Sequence, residues 1–146
     1  MAAQGITVGL GTDGAGSAAT LDMFAEIRAA AWLQKLDHGD PATLPAMEAL
    51  RMATVGSAEL LGIADEVGTL EAGKKADIIL IDLRKPHLQP VHNLPSLLAY
   101  GAVGADVDTT IVNGRVLMRG RRLLTIDEEE LLAQTAKRAR RITEGI

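Results

Sequence analysis

One acidic residue in a glycine-rich loop is the strongest candidate for chemistry in this sequence. Asp13 lies in the loop 11–17 (GTDGAGS), directly after the alternating segment 6–10 (ITVGL). The alternation predicts a short strand over residues 6–10. A carboxylate just beyond the C-terminal end of a barrel strand can point into a cleft and bind a divalent metal or its water. There it would act as a general base and take a proton from the attacking water.

The same residues admit two other interpretations. In the first, Asp13 only forms an Asx-type turn with its own backbone. In the second, residues 9–14 (GLGTDG) match the G-x-G-x-x-G dinucleotide fingerprint. That fingerprint needs an immediate helix and a second parallel strand, with an acidic residue about 20 residues on. The following helix is predicted to start only near Thr20, and the later stretch is helical, so we disfavour a nucleotide-binding domain.

The three histidines do not form an evident metal site. His38 ends a predicted helix, where a cation is favoured, while His87 and His92 lie in a proline-rich loop. A zinc site needs about three protein ligands, and the sequence contains no His-x-His pair. We therefore expect all three histidines to be structural.

Helices are predicted to follow the candidate loop. The first should run from Thr20, as the capping residue, to His38, with Gly39 just past its end. The second should run from Pro45 to Leu61, in two pieces interrupted near Gly56. The residues predicted to be buried recur at helical spacing and are Leu21, Phe24, Ile27, Ala31, Met47, Leu50, Ala53, Leu60 and Leu61.

Beyond Gly62 the pattern changes to β-structure. The apolar run Ile78–Ile81 predicts a strand covered on both faces, and a short helix is expected over residues 97–102. Asn113-Gly114 between two β-rich runs is typical of a hairpin with a type I′ turn. A final helix is predicted from Asp127, with acidic residues in its first turn and basic residues near its end.

Composition excludes several classes of protein. The 146 residues are 47% hydrophobic, so part of the apolar surface is expected to face a partner or a missing part of the same protein. The net charge of −4 and the lack of a basic cluster with aromatics argue against nucleic acid as a partner. The absence of cysteine excludes disulfides. No apolar run could span a membrane, and residues 1–5 do not form a signal peptide, so we interpret the chain as cytoplasmic.

Five blocks of sequence occur together in one order. They are 8–14 with 21–24, 49–54 with 58–62, 68–82, His92-Asn93 with Ser96-Leu97 and Tyr100, and 112–116. Together they resemble the amidohydrolase superfamily of metal-dependent hydrolases, closest to the methylthioadenosine/S-adenosylhomocysteine deaminases and related chlorohydrolases. The resemblance covers nearly the whole chain up to the final helix.

The resemblance implies an α/β fold with added β-structure. It makes the chain the C-terminal remnant of a (β/α)8 barrel, followed by part of a small β-sandwich composite domain and a C-terminal helix. Residues 1–63 would hold the last barrel strand and the following helices, 64–125 the sandwich portion and 126–146 the helix. The change of composition between Gly62 and Glu66 marks the first boundary.

The resemblance also implies a reaction. The parent enzyme would use a divalent metal, expected to be zinc, to hydrolyse a cyclic amidine C–N bond of a purine-like substrate and release ammonia. Asp13 matches the family's aspartate that binds the metal or its water and shuttles protons, while Gly11, Thr12 and Gly14 shape the loop. The family's His-x-His pair, further histidines and catalytic glutamate have no counterpart here, and Ala18-Ala19 stand where the family often has polar residues. We therefore expect the isolated chain to be inactive and to hold no metal tightly.

A non-enzymatic module is the remaining alternative. Residues 64–124 with the final helix would then form a folding or oligomerisation unit, and the strand at 6–10 would pair with a partner's sheet edge. Self-association through exposed apolar surface is expected under either hypothesis.

Overall fold

The computed structural model describes residues 4–17 and 20–145, and within them the chain forms five α-helices and four β-strands. In chain order these are α1 (Met23–His38), α2 (Ala46–Arg51), α3 (Ser57–Leu60), β1 (Ile78–Ile81), α4 (Leu94–Tyr100), β2 (Val107–Val112), β3 (Arg115–Arg119), β4 (Arg122–Leu123) and α5 (Glu128–Thr143). The predictions that concern residues 1–3 and Ala18-Ala19 lie outside the described residues.

Helix α1 begins at Met23, so the predicted cap at Thr20 is wrong. Asp22 is the cap: its backbone is extended and its Oδ1 accepts a hydrogen bond from Phe24 N at 2.9 Å. A carboxylate there satisfies one of the unpaired N–H groups that every helix start leaves. Leu21 therefore precedes the helix and is exposed, whereas the other predicted residues of this face, Phe24, Ile27 and Ala31, are buried.

The second predicted helix is interrupted, as expected. Between α2 and α3, the segment Met52–Gly56 is a π-helical turn, in which the hydrogen bonds reach one residue further than in an α-helix. Leu50 and Ala53 pack against the core. The predicted burial of the remaining apolar residues is wrong, because Met47, Leu60 and Leu61 are exposed.

Residues 6–10 pair with no strand of the described chain, so the described residues do not by themselves form the predicted leading strand. Leu10 N instead donates to Met52 O at 3.2 Å and to Ser57 Oγ at 3.1 Å. Ser57 Oγ also lies 3.0 Å from Leu10 O. A Cβ added at Gly9 would meet Ser57 Cα at 2.8 Å, so only glycine permits this approach. Within the described residues, the segment is held by the π-helical turn and the start of α3.

The four strands form one antiparallel sheet in the order β1-β2-β3-β4. The predicted hairpin is confirmed: Asn113 and Gly114 have φ values of 49° and 76°, both positive as a type I′ turn requires. Strand β1 is also confirmed, but its cover on both faces is not, because Ile79 and Leu80 are 47% and 52% exposed. The described residues form no parallel strand pair, which a dinucleotide-binding βαβ unit would need.

The core lies among α1, α2 and α4. It consists of Phe24, Ile27, Ala31, Ala46, Ala49, Leu88, Ala99, Ala102 and Val107. Its alanines have small side chains that allow close packing. Residues on both sides of the predicted boundary near Gly62 contribute to it, and the division into three segments stays a prediction.

The last two helices begin at capping side chains. Asn93 Oδ1 accepts a hydrogen bond from Ser96 N at 2.9 Å, so α4 starts at Leu94, earlier than predicted, with Pro95 in its first turn. Asp127 caps α5 as expected, and no residue of α5 is buried. Within the ranges 4–17 and 20–145, no helix is long and apolar enough to cross a membrane.

Candidate functional site

Asp13 lies at the exposed apex of the loop 11–17. Its φ of 56° places it in the left-handed region, which aspartate tolerates better than most residues. Asp13 Oδ1 accepts a hydrogen bond from Gly14 N at 2.6 Å, and Thr12 Oγ1 donates to Asp13 O at 3.0 Å. The observed bonding is therefore that of a local Asx-type contact, while a catalytic or metal-binding role for Asp13 stays a prediction.

Residues before and after this loop are hydrogen-bonded to the rest of the fold. On the N-terminal side, Leu10 is bonded to the π-turn and Ser57 as described above. On the C-terminal side, Asp22 bonds Phe24 N through Oδ1 and Gly104 N, at 2.9 Å, through Oδ2. Asp22 thus joins the start of α1 to the 3-10 turn Gly104–Asp106. Leu10 and Asp22 are thus anchored on either side of the loop, and Asp13 itself is exposed.

The described residues do not by themselves fit a zinc ion. No group of three His, Cys, Asp or Glu side chains in this part of the chain is close enough to hold a metal. Asp13 supplies one carboxylate, whereas a zinc site takes about three protein ligands. Any metal at Asp13 would need ligands from elsewhere.

The three histidines lie at the end of α1 and in the proline-rich loop before α4. His38 ends α1, and its Nδ1 is 3.0 Å from Gln34 O. His92 is exposed and directly precedes the cap of α4. His87 Nε2 lies 3.0 Å from Asp106 Oδ2. His38 thus bonds within its own helix, and His87 bonds a carboxylate 19 residues further along the chain.

Asp106 is a polar residue of consequence that sequence reasoning missed. Its side chain is 1% exposed. Lys85 Nζ donates to Oδ1 at 2.9 Å, and Val103 N donates to Oδ2 at 2.9 Å, beside the His87 contact. The sequence signal for Asp106 is an acidic residue between two apolar residues, Ala105 and Val107, at the start of a strand. Its partners are distant in sequence, so no local pattern identified them.

The environment of Asp106 makes it a structural anion. Burial raises the pKa of its carboxyl, but the Lys85 ammonium, the Val103 amide and the His87 ring together lower that pKa from 3.8 to about 2. A carboxylate with so low a pKa is a poor proton acceptor near neutral pH. Asp106 therefore ties the proline-rich loop to the sheet and is not a candidate general base.

Comparison with known proteins confirms the resemblance seen in the sequence. Residues 1–117 match the model of the Amidohydrolase family. The chain is 53% identical over 146 residues to a 5-methylthioadenosine/S-adenosylhomocysteine deaminase of Desulforudis audaxviator (strain MP104C), which is 100% of this chain and 34% of that relative. It is 50% identical over 134 residues to a 5'-deoxyadenosine deaminase of Methanosarcina acetivorans, 92% of this chain and 31% of that relative.

Solved structures agree with the sequence matches. An adenosine deaminase from Xanthomonas campestris with bound zinc superposes with a TM-score of 0.93 at 36% identity, over 98% of this chain and 33% of that one. An atrazine chlorohydrolase from Arthrobacter aurescens TC1 complexed with zinc gives a TM-score of 0.77 at 35% identity, over 93% and 30%. The chain spans about a third of the length of the curated relatives it matches. It belongs to the amidohydrolase family.

Proposed function

We propose that this chain carries one catalytic residue, Asp13, of a metal-dependent deaminase that hydrolyses a cyclic amidine C–N bond in a purine-like substrate. The family membership and the names of the deaminase relatives support the reaction. The structural observation that carries the proposal is a solvent-exposed carboxylate on a loop that lies between two residues bonded to the fold, Leu10 and Asp22.

Asp13 would act in proton transfer. The bond from Gly14 N orients the carboxylate through Oδ1, while Oδ2 accepts no hydrogen bond from the residues that the structure describes. Oδ2 is thus available to take a proton from the attacking water and pass it to the departing ammonia. This assignment contrasts with Asp106, both of whose oxygens are occupied.

Residues other than those that the structure describes would supply the remaining metal ligands. The relatives solved with zinc support a divalent metal, which we propose to be zinc, in the whole protein. Asp13 would contribute one oxygen donor, and the isolated chain is expected neither to hold zinc tightly nor to deaminate.

The same proposal accounts for the exposed apolar surface. Residues 6–10 would be the last strand of a (β/α)8 barrel once a neighbouring strand is present, and β1–β4 would belong to a β-sandwich. The exposure of Leu60, Leu61, Ile79 and Leu80 is what a chain lacking such neighbours would show. The three-segment division at 1–63, 64–125 and 126–146 follows from this assignment.

A chimera tests the proposed function. We define the chimera as the Desulforudis relative in which this chain replaces the matching third of the sequence. The isolated chain should release no ammonia from methylthioadenosine with added zinc, whereas the chimera should release it and retain bound zinc. Ammonia release by the isolated chain, or a folded and zinc-loaded chimera without activity, would contradict the proposal.

Self-association is the second candidate property. The exposed apolar residues distributed over α1, α3, β1 and α5 support it. Light scattering across a dilution series should show an oligomer that dissociates reversibly, and a monomer at every concentration would contradict this proposal.

A further inference from the structure

Helix α5 has no buried residue in the part of the chain that the structure describes. All residues from Glu128 to Thr143 are exposed. The recorded side-chain hydrogen bonds of α5 stay within the helix or its cap, as in Gln134 Nε2 to Glu130 Oε1 at 3.5 Å and Thr135 Oγ1 to Leu131 O at 2.8 Å. A helix that is polar on every side can stand in solvent, whereas a helix with an apolar side is expected to cover that side.

Between Leu131 and Ile142, helix α5 carries an apolar stripe, and Glu128 lies on the same face in the first turn. At the α-helical rotation per residue, six small or apolar side chains fall within an arc of about 140°. Its members are Leu131, Leu132, Thr135, Ala136, Ala139 and Ile142. Leu132 and Ile142 are 70% and 68% exposed. Three large apolar side chains on one side of a solvent-facing helix indicate a surface that is covered in the functional state.

The charges of α5 are divided between its two ends. Asp127 and Glu128–Glu130 lie at the N-terminal end, and Lys137, Arg138, Arg140 and Arg141 lie towards the C-terminal end. Glu129 and Arg140 flank the same edge of the apolar stripe, about three turns apart. No ion pair joins these two groups within the described chain, so both charges can face a partner.

We propose that α5 pairs in antiparallel orientation with α5 of a second copy of this chain, with the two apolar stripes in contact. This inference specifies the surface for the self-association proposed above. Antiparallel pairing sets each acidic end beside the partner's basic end and opposes the two helix dipoles. Parallel pairing would place like charges together, which is unfavourable. A two-fold axis near the middle of α5 lets the Glu129–Arg140 contact occur twice.

The interface is short, so the dimer is weak. Sixteen residues make a helix of about 24 Å, which gives an interface at the small end of the range for specific complexes. The fraction of dimer should therefore rise with protein concentration. It should fall with added salt, because the charge pairs between the two helices are exposed and salt screens them.

Analytical ultracentrifugation of five variants tests the surface. Leu132→Glu and Arg140→Glu should each raise the dimer dissociation constant at least about tenfold. Lys137→Glu is the matched control, because it makes the same charge change on the face opposite the stripe and should change the constant less than about threefold. Glu129→Lys should weaken self-pairing as Arg140→Glu does, whereas Glu130→Lys, on the face opposite the stripe, should not. An equimolar mixture of Glu129→Lys and Arg140→Glu should restore a dimer.

Cysteine cross-linking tests the orientation, because the chain has no cysteine of its own. Under mild oxidation, a mixture of Glu129→Cys and Arg140→Cys should yield disulfide-linked heterodimers, and Glu129→Cys alone should not. Efficient cross-linking of Glu129→Cys with itself would overturn the antiparallel arrangement. Circular dichroism of each variant should show that α5 remains helical, so that a change in the dissociation constant reports on the interface.

The remaining outcomes separate this inference from the broader proposal. A dimer that Leu132→Glu and Arg140→Glu leave intact would overturn α5 as the interface and keep self-association through another face. A wild-type chain that stays monomeric at every concentration would overturn both.

Discussion

The loop around Asp13 and the junction around Asp106 place the same functional group in opposite environments. The carboxylate of Asp106 is buried, and Lys85, His87 and Val103 occupy both of its oxygens. The carboxylate of Asp13 is exposed and bonded only to the next residue of its own loop among the described residues. The first arrangement stabilises the fold, and the second leaves an oxygen free for chemistry.

This difference gives a criterion for distinguishing a structural from a catalytic carboxylate. A buried and fully paired carboxylate is held ionised, with a lowered pKa, and cannot easily change its protonation state. An exposed carboxylate can be oriented by one hydrogen bond without being neutralised by its own chain. The comparison predicts that substitutions at Asp106 mainly change stability, whereas substitutions at Asp13 mainly change activity.

Replacing Asp106 should have the largest effect on stability. Asp106→Asn removes the negative charge beside the Lys85 ammonium and leaves a buried amide with donors facing donors. We expect the free energy of unfolding to fall by about 2 kcal/mol, measured by urea denaturation near neutral pH. Asp65→Asn, an exposed carboxylate, is the control and should change it by less than about 0.5 kcal/mol. Equal effects of the two substitutions would contradict the structural role of Asp106.

The Asp106 junction should also make stability depend on pH. Its pKa is lowered in the folded chain from 3.8 to about 2. Its contribution is therefore fully present above pH 3.8 and is lost as the pH falls towards 2. Allowing for solvent screening near the half-exposed His87, we expect about 1–2 kcal/mol from this group. Urea denaturation between pH 5 and pH 2.5 should show a steeper loss for the wild type than for Asp106→Asn, and parallel curves would contradict the assignment.

The base and the apex of the Asp13 loop should differ in their tolerance of a side chain. Gly9→Ala places a Cβ against Ser57 Cα, a backbone atom that cannot rotate away. We expect a loss of about 1–2 kcal/mol in the free energy of unfolding. Gly11→Ala is the matched control, because a Cβ there meets nothing within 4 Å. Thermal denaturation should show a larger loss of stability for Gly9→Ala than for Gly11→Ala. Equal losses would contradict the close contact of Gly9 with Ser57.

Sequence alone predicts the parts of this fold that depend on local contacts. The end of α1 at Gly39, the turn at Asn113-Gly114 and the start of α5 at Asp127 follow from turn and capping residues. The position of Asp13 on a glycine-rich loop after residues 6–10 follows in the same way. These features need no knowledge of distant segments.

The parts that sequence could not predict depend on distant neighbours. Periodicity identifies the apolar face of residues 45–61, but not whether anything covers Leu60, which is exposed here. Alternation predicts a strand at 6–10, yet a strand also needs a paired neighbour. Asp106 acquires its partners Lys85 and His87 only through folding. Asp22 caps α1, and its second bond, to Gly104, joins residues far apart in the chain.

The most direct test of the account is Asp13→Asn, measured both in this chain and in the chimera. In the chain, urea denaturation should show a change below about 0.5 kcal/mol, because the carboxylate is exposed and bonds only within its loop. In the chimera, the rate of methylthioadenosine deamination should fall at least about 100-fold, since a proton-transfer group is lost. Asp65→Asn should leave that rate unchanged. A chimera carrying Asp13→Asn that deaminates at close to the unsubstituted rate would contradict the central claim.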